Sequence, residues 1–355
     1  MTRFPVSRRA TFGLAALAAG IRPALAQGGT LSFVNNGGVI AEASRRIWYE
    51  PFARERGLRV VEDNWNQEYA RLRSQVETGQ LRWDVVEITY NNMALACDEG
   101  FIEQVDWSRH MDVKPFESSG GVTECAVPIM SVVGGLTYDA DRIKETPPRS
   151  WQDFWNVRQW PGKRGLLYRA SMLEIALMAD GVPPAQVMDV LSAPGGVDRG
   201  FRKLDEIKPH IQWWRSGAES TQILATGEVA MVYAWNGRVA SANQRDRRNF
   251  RMSFDGGFVL GNQYLAVMKG SPRRDLAIEF IRYATSAPVL ANFAREMMYG
   301  PPNEEAMRLL DRDFLALIPH DRMDRAYIQG GEKYRQFWLE NLEPLTQRLA
   351  RWAAS

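Results

Sequence analysis

The sequence predicts an α/β chain arranged in two discontinuous lobes, and three observations carry that prediction. Its 355 residues exceed one ordinary core and suffice for two lobes of roughly 100 to 200 residues each. Short apolar runs alternate with amphipathic stretches, the pattern of strands joined by crossover helices. Val132-Val133-Gly134-Gly135, and Gly256-Gly257 leading into Gln263 to Met268, read as two crossings between lobes, so neither lobe is continuous in sequence. Hydrophobic residues at 45% and charged residues at 24% are near globular averages, which excludes a largely disordered chain or a many-span membrane protein.

At the N-terminus, Ser7-Arg8-Arg9-Ala10-Thr11-Phe12 precedes an apolar stretch from Gly13 to Gly20, then Ala24-Leu25-Ala26 before Gln27. A basic region, a short apolar region and a small-x-small site in that order read as a signal peptide over residues 1–26, cleaved near Ala26, which marks the mature chain for export. The stretch is far below the roughly 20 residues that span a bilayer, and Arg22 and Pro23 interrupt it. The paired arginines look like a twin-arginine signal for export after folding, with ordinary secretion as the alternative. Arg3, Arg8, Arg9 and Arg22 are balanced by no acid in this segment, so the net charge of +2 becomes −2 without it. A nucleic-acid partner, which needs a clustered basic face, is not expected.

After the cleavage site, Leu31 to Val34 reads as a strand that runs into a turn at Asn35-Asn36-Gly37-Gly38. A helix through Ile47, Trp48 and Phe52 ends at Gly57. Leu58 to Val61 is the next strand, Tyr69 to Glu77 a helix stopped by Gly79, and Trp83 to Ile88 a strand. Beyond the first crossing, Arg164 to Tyr168, Ile211 to Trp214, Val229 to Trp235 and Phe250 to Phe254 read as strands, with helices around Glu174 to Ala179 and Gly200 to Ile207. Asp275 to Thr285 sets Ala277, Ile278, Ile281 and Ala284 on one helical face, and Pro288 starts another helix. From Lys333 to Ala354, Trp338, Leu342, Leu345, Leu349 and Trp352 line one face, with Pro344 expected to kink or split the run. Lobe 1 is thus drawn as 27–133 with 262–303, lobe 2 as 137–258, and 304–355 as C-terminal helices packing on the lobes.

The cysteines are Cys97 and Cys125. An oxidising compartment lets them form a disulfide; two buried thiols that never meet are the alternative, because sequence gives no distance. His110, His210 and His320 have no ligand spacing to them, so no metal is expected. Catalytic signatures are missing too: no G-x-S-x-G, H-E-x-x-H or G-x-x-x-x-G-K-[ST] occurs. Glycine pairs at 37–38, 134–135, 195–196 and 256–257 lack a dinucleotide-binding arrangement and read as turns or hinges. The chain is therefore read as no enzyme and as carrying no cofactor.

Aromatic residues are abundant, with Trp 12, Tyr 11 and Phe 15. Trp235 is the outstanding candidate for binding, because it ends an apolar strand before Asn236-Gly237, read as a turn. Ligand crevices of open α/β sheets form at such strand ends. Thr89-Tyr90-Asn91 and Asn35-Asn36 have the same placement.

At these residues the chain resembles a periplasmic solute-binding protein of ABC importers, of the spermidine/putrescine-binding type. The resemblance rests on Trp83-Asp84-Val85-Val86, Cys97-Asp98-Glu99-Gly100-Phe101-Ile102-Glu103, Pro148 to Trp155, Pro161-Gly162-Lys163-Arg164, Leu173 to Leu177, Gly227 to Met231, Trp235-Asn236-Gly237-Arg238 and Tyr299 to Asn303, in the family's order over nearly the whole mature chain. It implies the two-lobed type II periplasmic-binding-protein fold, with a hinge between discontinuous lobes and ligand held between them. It also implies a monomer that delivers its solute to an ABC permease in the inner membrane. By the same resemblance Trp235 stacks on the ligand, Asn236, Asn35, Asn36, Thr89 and Tyr90 complete the site, and Arg169 and Glu174 line it from lobe 2. Glu174 is equally readable as a carboxylate at a helix N-terminus.

The segment Gly257 to Tyr264 departs from the polyamine pattern. Neutral Asn262 and Gln263, beside Tyr264, stand where polyamine-type relatives offer an acid, and Arg169 would repel a dication. The function expected is capture of a small polar organic solute, a polyamine or related amine, by hinge closure. The alternative is a receptor for a carboxylate, amino acid or phosphonate clamped by Arg169; an exported enzyme on a similar scaffold is a distant one.

Overall fold

The structure, a computed structural model, describes residues 29–355; the signal peptide read over residues 1–26 lies outside them. Among the described residues, ten strands form one sheet: β1 (Thr30–Asn35), β2 (Arg59–Asn64), β3 (Val85–Thr89), β4 (Ala126–Asp139), β5 (Lys163–Leu167), β6 (Ile211–Trp214), β7 (Val229–Trp235), β8 (Phe250–Ser253), β9 (Phe258–Val267) and β10 (Ala326–Gln329). Their order is β2-β1-β3-β9-β4-β7-β5-β6, with β8 paired to β4 and β10 to β9. β1 is parallel to β2 and β3, and β5 is parallel to β6 and β7. These are two parallel sets, each built by helical crossovers.

The long strands β4 and β9 run antiparallel and join the two sets. β9 pairs with β3 from Gln263 to Val267 and with β4 from Val259 to Ala266. Past that point β4 turns to β7, where Gly134 opposes Trp235 and Tyr138 opposes Met231. Each body has its own core. Phe33, Trp48, Phe52, Phe280 and Phe293 pack on one face of the β1, β3 and β9 set, and Trp65, Leu72, Trp83, Val86 and Ile88 on the other. Leu166, Ile175, Trp214, Val232 and Trp338 belong to the core around β5 to β7. This is the two-lobed fold with two crossing strands. Among the described residues, no helix is long and apolar enough to cross a membrane.

Local chemistry explains most elements. The helical stretch from Gly38 to Arg56 ends at Gly57, which takes a left-handed φ of 65°. The helix Trp151–Trp155 starts with a capping box between Ser150 and Asp153, and the helix Ala287–Met297 takes Pro288 in its first turn.

Several expectations are corrected. The full span of β4, all of β10 and the helix Gly217–Thr226 were not anticipated. Asn236-Gly237 is no turn: it opens the helix Asn236–Asp246, and Gly38 likewise opens a helix. Gly134 is a strand residue, not a turn, and a Cβ there would lie 2.0 Å from the Tyr233 hydroxyl. Its lack of a side chain serves close approach. Pro344 does not split the last helix, which runs unbroken from Glu332 to Ala354.

That helix ties to both bodies. Trp338 Nε1 donates to Glu174 Oε1 at 3.1 Å, and Arg335 pairs with Asp98 on the helix Tyr90–Asp98. Cys97 and Cys125 are joined in a disulfide with Cα atoms 5.9 Å apart, fastening the latter helix to the start of β4.

Candidate functional site

A cavity of about 510 Å³ opens where the two bodies face each other across β4 and β9. Strand ends converge on it: Asn36 after β1, Thr89 closing β3, Arg169 two residues past β5, Arg215 after β6 and Trp235 closing β7. A crevice at the C-terminal ends of parallel strands is what the doubly wound geometry leaves open.

The lobe 2 wall is aromatic and cationic. Trp235 is half-buried, touches the apolar cores of both bodies, and meets the buried Trp214 ring. Behind it stands Gly217, where a Cβ would lie 2.8 Å from the Trp235 ring and 2.9 Å from Arg238 Nε. Arg238, one helical turn after Trp235, has its Nε buried without a hydrogen-bond partner. Arg215 lies with its guanidinium 3.9 Å from the Tyr168 ring centroid. Arg169 and Arg245 complete the set. No carboxylate among the described residues lies within ion-pair distance of these four arginines. Glu42 and Glu296 line the cavity as exposed groups, and Glu296 is paired with Arg46 at 2.5 Å.

The lobe 1 wall is a neutral amide network. Gln67 Nε2 donates to Asn36 Oδ1 at 2.7 Å, while the Thr89 backbone N–H donates to Gln67 Oε1 at 3.1 Å. Gln67 takes a φ of 63°, a left-handed conformation uncommon for a residue with a side chain. It is held by both ends of its amide and by Asn92, which donates to its carbonyl at 2.9 Å. Gln263, opposite Thr89 on β9, leaves Oε1 buried and unpartnered. Each wall thus carries one buried polar atom without a partner, a donor on Arg238 and an acceptor on Gln263.

Of the sequence-predicted residues, Trp235, Asn36, Thr89 and Arg169 line this cavity. Six do not, and each is engaged elsewhere. Asn35 is fully buried, donating to Tyr49 Oη at 3.3 Å and accepting from the Gly37 N–H at 2.8 Å. Asn236 accepts from the Val133 N–H at 3.0 Å, which pins the helix start to β4. Tyr90 donates to the Gly331 carbonyl at 3.2 Å and packs near Tyr264 and Tyr334. Asn262 accepts from Ser131 Oγ at 2.8 Å and donates to the Ser119 carbonyl at 2.6 Å. Tyr264 is 2% exposed. Glu174 is fully buried, accepting from Gln329 Nε2 at 2.8 Å and from Trp338, and burial pushes its carboxyl up to about 8.

Gln263 was named with Asn262 in this segment, but Asn262 and Tyr264 were taken as the site residues in its place, a mistake of strand parity. Its neighbours Asn262 and Tyr264 point to the opposite face, and a one-residue error in a strand inverts the assignment. Arg238 carried a signal: three residues after Trp235 at the head of a helix, it shares the Trp235 side. Gln67 and Arg215 gave none, since both sit in loops.

The comparisons with known proteins bear on this cavity. Residues 48–312 match the family described as bacterial extracellular solute-binding protein. A γ-aminobutyric acid-binding protein from Pseudomonas aeruginosa is 38% identical over 352 residues, 98% of this chain and 96% of the relative. A solved GABA receptor structure superposes with TM-score 0.80 at 29% identity, covering 91% of this chain and 97% of that chain. An ABC transporter substrate-binding protein from Bradyrhizobium japonicum gives TM-score 0.79 at 28% identity, covering 92% and 99%.

Proposed function

Because this chain belongs to the bacterial extracellular solute-binding proteins, the solute-capturing components of ABC importers, we propose that it captures a small zwitterionic amino acid of the γ-aminobutyrate type. The observation that carries this reading is the unpaired arginine set, with the free donor on Arg238. Guanidinium groups in a partly enclosed cavity select a carboxylate, to which they give charge-assisted bonds. The other end of the guest, an ammonium, finds the Trp235 face, the Gln263 carbonyl oxygen and the Thr89 hydroxyl. A dicationic polyamine would bring a second ammonium against Arg169, Arg215 and Arg238, and like charges there oppose binding. The P. aeruginosa relative is named for binding γ-aminobutyric acid, which supports the same class.

In this reading the guest touches both walls only when the lobes approach, so binding shifts the population toward the closed form, which the inner-membrane permease recognises. The protein acts in the periplasm after export through residues 1–26, and the solute is released unchanged. Isothermal titration of the mature chain with γ-aminobutyrate, butyrate and putrescine at fixed salt tests it. The expected order is γ-aminobutyrate first, butyrate weaker, and putrescine without heat. Putrescine binding more tightly than γ-aminobutyrate would overturn the reading.

A further inference from the structure

Directly beneath the lobe 1 wall lies a carboxyl group with no role in the contacts above. Val85, Glu87 and Thr89 alternate onto one face of β3, so Glu87 stands one step below the lining residue Thr89. Glu87 is 1% exposed. Its Oε1 accepts from Nδ2 of the lining residue Asn36 at 2.9 Å, and its Oε2 is buried with no partner among the described residues. The backbone around it is fully used: Trp65 Nε1 and Gln67 Nε2 both donate to the Glu87 carbonyl, at 3.1 and 3.2 Å. A carboxyl half-satisfied by the very amide that walls the cavity is placed to sense charge there.

We propose, resting on the amino-acid reading of this cavity, that Glu87 is the buried counter-charge for the ammonium of the solute, acting through Asn36, and that binding expels its proton to the solvent. Nothing else near it serves that role. Facing it from the helical stretch is Tyr49, buried and neutral, its phenol pushed upward by burial. From the turn after β1 comes Asn36, from the loop after β2 come Trp65 and Gln67, and Leu265 is its partner on β9. No cation is among them. Burial pushes the Glu87 carboxyl up to about 7, with the Asn36 hydrogen bond opposing. Near neutral pH the carboxyl can therefore hold a proton that an ordinary glutamate would have lost. An ammonium across one amide side chain favours the carboxylate by about one to three pH units, and the proton leaves for the buffer. Raising pH from 6 to 8 then strengthens binding, with a plateau above.

The test is calorimetry of the mature chain in two buffers of different protonation enthalpy, phosphate and Tris, with γ-aminobutyrate and with butyrate as probes. A fraction of a proton is released per γ-aminobutyrate at pH 7, falling away toward pH 9, and butyrate, which lacks the ammonium, releases none at either. Glu87→Gln abolishes the release and weakens γ-aminobutyrate about tenfold while leaving butyrate unchanged. Binding of γ-aminobutyrate to the wild-type chain without buffer dependence at pH 7 overturns the proposal alone, and needs no variant. Release that persists in Glu87→Gln also overturns it. Absence of γ-aminobutyrate binding to the wild-type chain overturns the amino-acid reading itself.

Discussion

Trp235 meets Trp214 edge to face, with ring centroids 5.3 Å apart and planes at 89°. Trp214 closes β6 and is fully buried, so it fixes the orientation of a ring whose free side borders the cavity. Edge-to-face packing contributes about 0.5–1.5 kcal/mol beyond burial, and here it preorganises a binding face.

Trp235→Ala is expected to fold and to lose the melting shift that γ-aminobutyrate gives the wild-type chain, with affinity down by about tenfold or more. Trp214→Ala is expected to lose about 3–5 kcal/mol of stability instead, the range for a buried aromatic. Thermal denaturation with and without solute separates the two outcomes; equal melting shifts in Trp235→Ala and wild type would remove Trp235 from the site.

Gly217→Ala tests the wall behind that ring. The new Cβ would stand under 3 Å from both Trp235 and Arg238, so both side chains must move. Affinity is expected to fall about tenfold at a stability cost of about 1–3 kcal/mol, the range for overpacking. Titration and denaturant unfolding of one variant preparation check it.

Arg238→Gln removes the donor that has no partner in the empty cavity. Hydrogen bonds to charged groups contribute about 1.5–3 kcal/mol, so carboxylate binding should weaken about 10- to 100-fold with stability unchanged. Arg169→Glu should weaken γ-aminobutyrate further and make the remaining affinity less sensitive to salt. Unchanged affinity in both variants would discard the carboxylate clamp.

The helices were legible because they bury one regular face: Ala277, Ile278, Ile281 and Ala284, set on one face by their spacing, are all in the core. β4 was hidden because it is buried on both faces and serves two bodies, so its apolar run lacks the alternation that marks a strand. In the site, Thr89 and Trp235 at strand ends, and Asn36 and Arg169 just beyond them, were found from their place at the ends of β1, β3, β5 and β7. Asn35 and Asn236 have the right position in the chain but bond back to Tyr49 and Val133, and sequence cannot tell which of two adjacent polar side chains turns inward.

Glu174 gives the protein a pH-dependent stability. Its carboxyl lies near 8 in the folded chain against an ordinary 4.5, so the folded state holds a proton that the unfolded state gives up. The stability it confers is complete below about pH 4.5 and is lost as pH rises toward 8. At about 1.36 kcal/mol per unit, the loss is a few kcal/mol. Glu174→Gln, which still accepts from Trp338 and can donate to Gln329 once that amide turns over, is expected to flatten this slope. Denaturant midpoints at pH 5 and pH 8 check it, and a wild-type chain equally stable at both would contradict it.

The shared strands also bear on biosynthesis. β3 has β1 on one side and only β9 on the other, yet β9 follows it by about 170 residues. At 5–20 residues per second, a nascent chain on the ribosome carries that open strand edge for roughly 10 to 30 seconds. Unpaired edges invite intermolecular pairing. Translation products cut short before Phe258 are therefore sticky species, and a chaperone that shields β3 is most useful while lobe 2 is still being made.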